Sequence, residues 1–183
     1  MKQPEECSCF WYIDERGIDE KLCVFCGEVL MSRINRDDYF MAMAILASMR
    51  SACLSRQVGA VVVSKNRVVS IGYNGPPPGY PHCQECMRNE PGMELYDCPA
   101  IHAEANAVIQ ATKGDTLYCT DQPCITCLKM ILTTDIKRIV YVRDYPTSLL
   151  RHSLLKKSGI KEIKWKILLE SILKLIAKQI SKM

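Results

Sequence analysis

His102-Ala103-Glu104-Ala105-Asn106-Ala107-Val108-Ile109-Gln110-Ala111-Thr112, followed at a distance by Pro123-Cys124-Ile125-Thr126-Cys127, decides how this chain is read. Each stretch opens as a helix. In the second, proline suits a first helical position, and cysteines three apart share one face of the opening turn. A strand is predicted between them, Thr116 to Thr120. Consecutive strand–helix units bring two helix starts together at one end of a sheet, so the chain is predicted to be α/β. Helix starts favour negative charge, which pushes both sulfurs towards the metal-binding thiolate form. Catalytic zinc sites use three protein ligands and leave a fourth position open. His102, Cys124 and Cys127 are the predicted ligands of such a zinc. Glu104 adds a carboxylate close by that need not touch the metal, a candidate general base.

Working outward, 183 residues allow one medium domain with appendages. A composition 48% hydrophobic and 24% charged is that of a globular protein. The start, MKQPEECSCF, has no apolar core of a secretory signal, and no apolar run reaches the length of a membrane span. A cytoplasmic location is expected, with no membrane and no nucleic-acid partner. The net charge of +4 is unevenly spread: residues 1–36 hold five basic and seven acidic side chains, residues 151–183 nine and two. Eleven cysteines in such a chain argue for metal rather than disulfides.

Residues 1–34 read as a small module. Cys7, Cys9, Cys23 and Cys26 can close one tetrahedral site of four thiolates, whose zinc would supply folding energy that so short a segment lacks. Residues 35–166 form the main domain. Asn35 caps a helix over 37–54, with Asp38 in capping-box position, and Tyr39, Met43, Leu46 and Met49 are its expected core stripe. Val58–Val63 and Val68–Ile71 form a hairpin around Ser64-Lys65-Asn66-Arg67. Gly72-Tyr73-Asn74-Gly75 and the prolines after it fix a loop, in which Asn74 offers donor and acceptor to a sugar hydroxyl or a base edge. The segment Tyr80–Ala100 is long for a loop without structure. A second zinc held among Cys53, Cys83, Cys86 and Cys98, with His82 as a substitute, would order it. Cys119 is expected to be a buried thiol. A strand over 137–142, a helix over 149–158 stopped by Gly159, and a short strand over 160–165 follow. Residues 167–183 are a basic amphipathic helix, Ile172, Leu175, Ile176 and Ile180 opposing Lys166, Glu170, Lys174 and Lys178.

From about Asp37 to Lys164 the chain resembles the deoxycytidylate deaminases. The resemblance rests on Arg50-Ser51-Ala52-Cys53-Leu54, Val58-Gly59-Ala60-Val61, Gly72-Tyr73-Asn74-Gly75, His102-Ala103-Glu104 and Pro123-Cys124-x-x-Cys127. His-x-Glu with Pro-Cys-x-x-Cys is the signature of zinc nucleobase deaminases, in which the glutamate shuttles protons. The resemblance implies a three-layer α-β-α cytidine deaminase-like fold on a mixed five-stranded sheet. It implies conversion of dCMP and water to dUMP and ammonia, with substrate contacts at Asn74, Ala103 and Tyr145. It also implies a homo-hexamer regulated by dCTP and dTTP with Mg2+ at Gly72, Tyr73, Asn74 and Gly75, and a second zinc at Cys53 and Cys83. For a nucleotide substrate, Arg50, Arg56 or Arg143 are candidate phosphate contacts, with ordinary surface salt bridges as the alternative. A tRNA adenosine deaminase, or a non-catalytic component of the late-competence type, are the alternatives.

Overall fold

The computed structural model describes residues 9–13, 19–23, 29–86, 97–166, 177, 180 and 181. Along them run β1 (Cys9–Ile13), β2 (Asp19–Cys23), β3 (Val29–Arg33), α1 (Arg36–Ser48), β4 (Gly59–Ser64) and β5 (Arg67–Tyr73). Then come α2 (Ala103–Gln110), β6 (Thr116–Asp121), α3 (Ile125–Ile131), β7 (Arg138–Arg143), α4 (Leu149–Ser158) and β8 (Lys161–Lys164). The chain divides into two compact units, one of Met1–Tyr39 with Leu168–Met183 and one of Phe40–Ile167. No helix among the described residues is long and apolar enough to cross a membrane.

In the first unit β1, β2 and β3 form an antiparallel sheet. Its register sets Cys9 opposite Cys23. Cys7 and Cys26, the other two candidate ligands of the N-terminal module, lie outside the described residues. So does most of the expected C-terminal helix, of which Ala177 and Ile180 are helical and Ser181 N–H donates to Ala177 O at 3.0 Å.

The second unit is built on a mixed sheet of order β5-β4-β6-β7-β8. The β5–β4 and β4–β6 pairs are antiparallel, β6–β7 and β7–β8 parallel. This is the five-stranded α/β architecture expected. The hairpin closes through Lys65 (φ 48°) and Asn66 (φ 62°), two successive left-handed residues that match the twist of the strands they join. Alternation along each strand gives the sheet two apolar faces. Ala60, Val62, Leu117, Cys119, Ile139 and Tyr141 pack with Ala103, Ala107, Val108, Leu128 and Ile131, so α2 and α3 cover one face, joined by Leu154 and Leu155 of α4. The other face lies under α1, where Phe40 stacks on Tyr118 with centroids 5.3 Å apart.

Two glycines set how closely helices approach. A Cβ on Gly72 would collide with the carbonyl oxygen of Ala103 and stand 2.5 Å from the amide nitrogen of Ala107. One on Gly59 would collide with the backbone of Ala44 and Ser48 in α1. This close seating of α1 corrects the expected stripe. The buried face is Phe40, Met41, Ala44 and Ala47, whereas Tyr39, Leu46 and Met49 are exposed. Both sets recur at helical spacing, and only the one with alanine lets backbone meet backbone. The helix also stops at Ser48 rather than residue 54. The amides of Met49, Arg50 and Ser51 reach back three residues instead of four, which tightens and ends it.

Topology gathers one edge. The start of β4 and the ends of β5, β6 and β7 lie together, since Gly59 pairs with Tyr73, Ala60 with Cys119 and Asp121 with Arg143. A reciprocal backbone pair, Gly75 with Ile101, brings the chain back to that edge at the start of α2.

Candidate metal centre and active site

Both helix starts arrive at this edge, α2 one residue and α3 two residues later than the sequence predicts. Pro123 precedes the helix, Cys124 is its N-cap and Ile125 its first residue. Cys124 Sγ accepts the amide of Cys127 at 3.5 Å, a cap normally made by a side-chain oxygen. His102 is likewise the N-cap residue of α2, in extended conformation, with Glu104 in the first turn. His102 Nδ1 then stands 3.5 Å from Cys124 Sγ and 3.3 Å from Cys127 Sγ. Tetrahedral zinc, with bonds of about 2.0 Å to nitrogen and 2.3 Å to sulfur, would hold such donors about 3.5 Å apart. The donor set therefore fits zinc. Among the described residues it is the group of three potential ligands whose donor atoms converge within 4.8 Å, and Glu104 stands outside it.

Electrostatics favour the same division of labour. A hydrogen bond from Cys127, and then one from His102, lowers the Cys124 thiol to about 4. The same hydrogen bond between the two sulfurs, and burial, push Cys127 up. One proton shared by the pair is what a metal ion displaces. Glu104 is 4% exposed, and burial lifts its carboxyl to about 7. The charges of Cys124 and Asp121 push the same way. A carboxyl held near neutrality suits a group that must both take and give a proton.

The cavity above these residues is walled by Val58, Asn74, Ala103, Glu104, Asp121 and Tyr145, with Arg56 at its side. Asn74 is buried and largely committed. Its Oδ1 accepts the amide of Val58 at 2.8 Å and lies 2.7 Å from Ser51 Oγ, while its Nδ2 donates to Arg56 O at 2.8 Å. One Nδ2 hydrogen is left for the cavity. Tyr145 lines the wall, its amide donating to Gln122 Oε1 at 3.3 Å and its ring 5.4 Å from the Arg56 guanidinium.

The structure splits the glycine-rich motif between two cavities. Asn74 faces the catalytic cavity, whereas Gly72, Tyr73 and Gly75 line a second one beyond β5, with Arg50, Tyr80, His82 and Asn106. Arg50 thus stands away from the catalytic cavity. The second zinc set is not assembled: no three donor atoms of Cys53, Cys83, Cys86 and Cys98 converge within 4.8 Å. Cys53 and Cys98 instead line the catalytic cavity. Cys119 is fully buried, as expected.

Sequence reading missed three side chains at the site. Asp121, buried at the end of β6, pairs with Arg56 and with Arg143, the latter at 2.5 Å. Arg151 is buried, pairs with the half-buried Glu162 and donates to Pro123 O at 3.0 Å. A lone charge inside an apolar pattern is the signal that marks such residues. Asp121 closes a strand that is otherwise buried throughout, and Arg151 sits among the leucines of α4.

Residues 34–143 match the family model described as the cytidine and deoxycytidylate deaminase zinc-binding region. The chain is 41% identical over 136 residues to a deoxycytidylate deaminase of Schizosaccharomyces pombe, which covers 68% of this chain but 42% of the yeast protein. It is 41% identical over 127 residues to the deoxycytidylate deaminase of Mycobacterium phage D29, covering 62% of this chain and 99% of the phage protein. A dCMP deaminase from cyanophage S-TIM5, solved in complex with dCMP and dUMP, superposes with a TM-score of 0.59 at 29% identity, over 70% of this chain and 95% of that one. With the His102, Cys124 and Cys127 donors and Glu104 placed as described, this chain belongs to the cytidine and deoxycytidylate deaminase family.

Proposed function

We propose that the chain hydrolyses dCMP to dUMP and ammonia. The observation that carries this is a buried Glu104 carboxyl beside a His/Cys/Cys donor set, in a cavity with an arginine on its wall. Zinc held by His102, Cys124 and Cys127 supplies the Lewis acidity that brings water towards hydroxide at neutral pH. Two thiolates offset the charge of the ion, so a base must help. Glu104 takes the proton of the water that adds to C4 of the cytosine and gives it to N3. It then carries the second proton to the amino group, which leaves as ammonia. Asn74 and Tyr145 frame the nucleoside.

The similarity to dCMP deaminases supports a nucleotide substrate. So does charge at the cavity mouth, where two guanidiniums, Arg56 and Arg143, share the single carboxylate of Asp121. The excess positive charge suits a 5′-phosphate. The second cavity, with Arg50 and the glycine motif, is the candidate site for dCTP or dTTP with Mg2+. Exposed Leu46 on α1 and Met49 just beyond it support a homo-oligomer. The pairing of Cys9 with Cys23 supports a structural zinc in the N-terminal unit. The test is a panel of cytosine nucleotides, each with and without dCTP and Mg2+, followed by loss of cytosine absorbance. Fastest loss with dCMP supports the reading. Adenosine deamination in an anticodon stem, with dCMP inert, overturns it.

A further inference from the structure

We propose that Arg151 is a positioning residue that holds the Pro123–Cys124 peptide in the orientation the metal ligands require. The inference rests on the reading of His102, Cys124 and Cys127 as ligands, and extends it to α4 and β8.

Arg151 is 1% exposed, the largest fully buried side chain among the described residues. A buried guanidinium is costly unless paired. Its Nη1 and Nη2 grip the carboxylate of Glu162 on β8 in a two-pronged pair, the first bond at 3.1 Å. Its Nε is left to donate to Pro123 O at 3.0 Å. Each of the three guanidinium nitrogens donates, and one bond is spent on the residue before a metal ligand.

That bond has a specific mechanical effect. Proline has no N–H and a ring-fixed φ. The carbonyl is the one hydrogen-bonding handle Pro123 owns, and its direction is set by ψ. With φ locked by the ring and ψ held by Arg151, the chain enters Cys124 in a single direction. Cys124 then caps α3 and presents its sulfur to His102. The same Glu162 accepts from Gln122 Nε2 at 3.2 Å, and Gln122 Oε1 holds the amide of Tyr145 at 3.3 Å. The ion pair of buried Arg151 with Glu162 therefore braces the ligand turn and, through Gln122, the loop carrying Tyr145. Arg151 does not line the catalytic cavity, and its bonds go to Glu162 and Pro123 O; it acts through backbone.

The test is the rate of zinc release from the full chain to a chromophoric chelator, 4-(2-pyridylazo)resorcinol, well below the unfolding temperature. The phase read is the one absent from Cys124→Ser protein. Arg151→Lys keeps the charge but cannot make all three bonds. Arg151→Met with Glu162→Leu removes the pair together, leaving no unpaired buried charge. Val61→Ala, a core truncation on the other face of the sheet, is the control for lost stability. Both Arg151 variants are expected to release this zinc about 10-fold faster or more, the scale seen when a partner orienting a metal ligand is lost. Val61→Ala of equal Tm should release at the wild-type rate. Release from both Arg151 variants at the wild-type rate, or no faster than from Val61→Ala of equal Tm, overturns the proposal. If wild type holds its zinc but does not deaminate dCMP, the proposed reaction fails while this measurement still reads Arg151.

Discussion

The carboxylate of Asp121, buried at the end of β6, accepts Nε of Arg143 at 2.5 Å and uses its other oxygen for Arg56. A short acidic side chain thereby ties down two long basic ones at the mouth of the catalytic cavity. Each arginine contributes its Nε, and Arg143 also donates Nη2 to Gln57 O at 3.0 Å, so the terminal nitrogens of Arg56 are the candidates for the phosphate. If these recognise the phosphate, Arg56→Ala should raise the KM for dCMP by roughly 10- to 100-fold, the worth of one charged hydrogen bond of about 1.5–3 kcal/mol. Deamination of deoxycytidine, which has no phosphate, should change little. Steady-state kinetics on the two substrates check this. Equal losses on both would assign Arg56 a structural role.

Glu104→Gln keeps the shape of the side chain and removes the base. Turnover of dCMP should fall by about 10²–10⁴-fold. Zinc content, measured by elemental analysis, should stay at the wild-type value because Glu104 lies outside the donor set. Unchanged turnover at matched zinc would show that another group moves the proton.

The pH dependence has a defined sign. Burial raises the Glu104 carboxyl to about 7 without metal, and a bound cation opposes that rise. The base acts ionised, so kcat/KM should fall as pH drops through its pKa in the zinc enzyme, between its ordinary value and about 7. A pH–rate profile on dCMP reads it. A rate still flat well below pH 4 would exclude Glu104 as the base.

Gly72 lies where α2 meets the sheet, so the helix that carries Glu104 is seated by an absent side chain. Gly72→Ala should destabilise the fold by about 1–3 kcal/mol or more, the usual cost of overpacking. It should also reduce zinc retention by displacing His102. Thermal unfolding and zinc content check both.

In the N-terminal unit, Cys9→Ser and Cys23→Ser should each lower zinc per chain by one equivalent and leave dCMP turnover in place. Unchanged zinc content would remove the structural metal from the account.

How much of this was legible in the sequence depended on range. The donors and Glu104 were readable because ligand chemistry is local: His-x-Glu and Cys-x-x-Cys each span one helix start. The hairpin and the order of elements were readable from period and turn residues. What α1 buries was not. Tyr39, Leu46 and Met49 are larger than the alanines that face inward, and only the close approach at Gly59 selects the alanine face. Arg151 and Glu162 were invisible for a different reason. Eleven residues separate them in the chain, and Pro123 lies 28 from Arg151, so their meeting is a product of the β7–α4–β8 crossover. The cysteines at 53, 83, 86 and 98, expected from the length of their loop and from the family resemblance to share a zinc, do not form a group of three converging donors in the structure.

The most direct test incubates the purified zinc-loaded chain with dCMP and measures dUMP and ammonia together. Equimolar formation of both, abolished by Cys124→Ser and reduced to a trace by Glu104→Gln, is the predicted result. No dUMP from dCMP in protein carrying a full catalytic zinc would contradict the account.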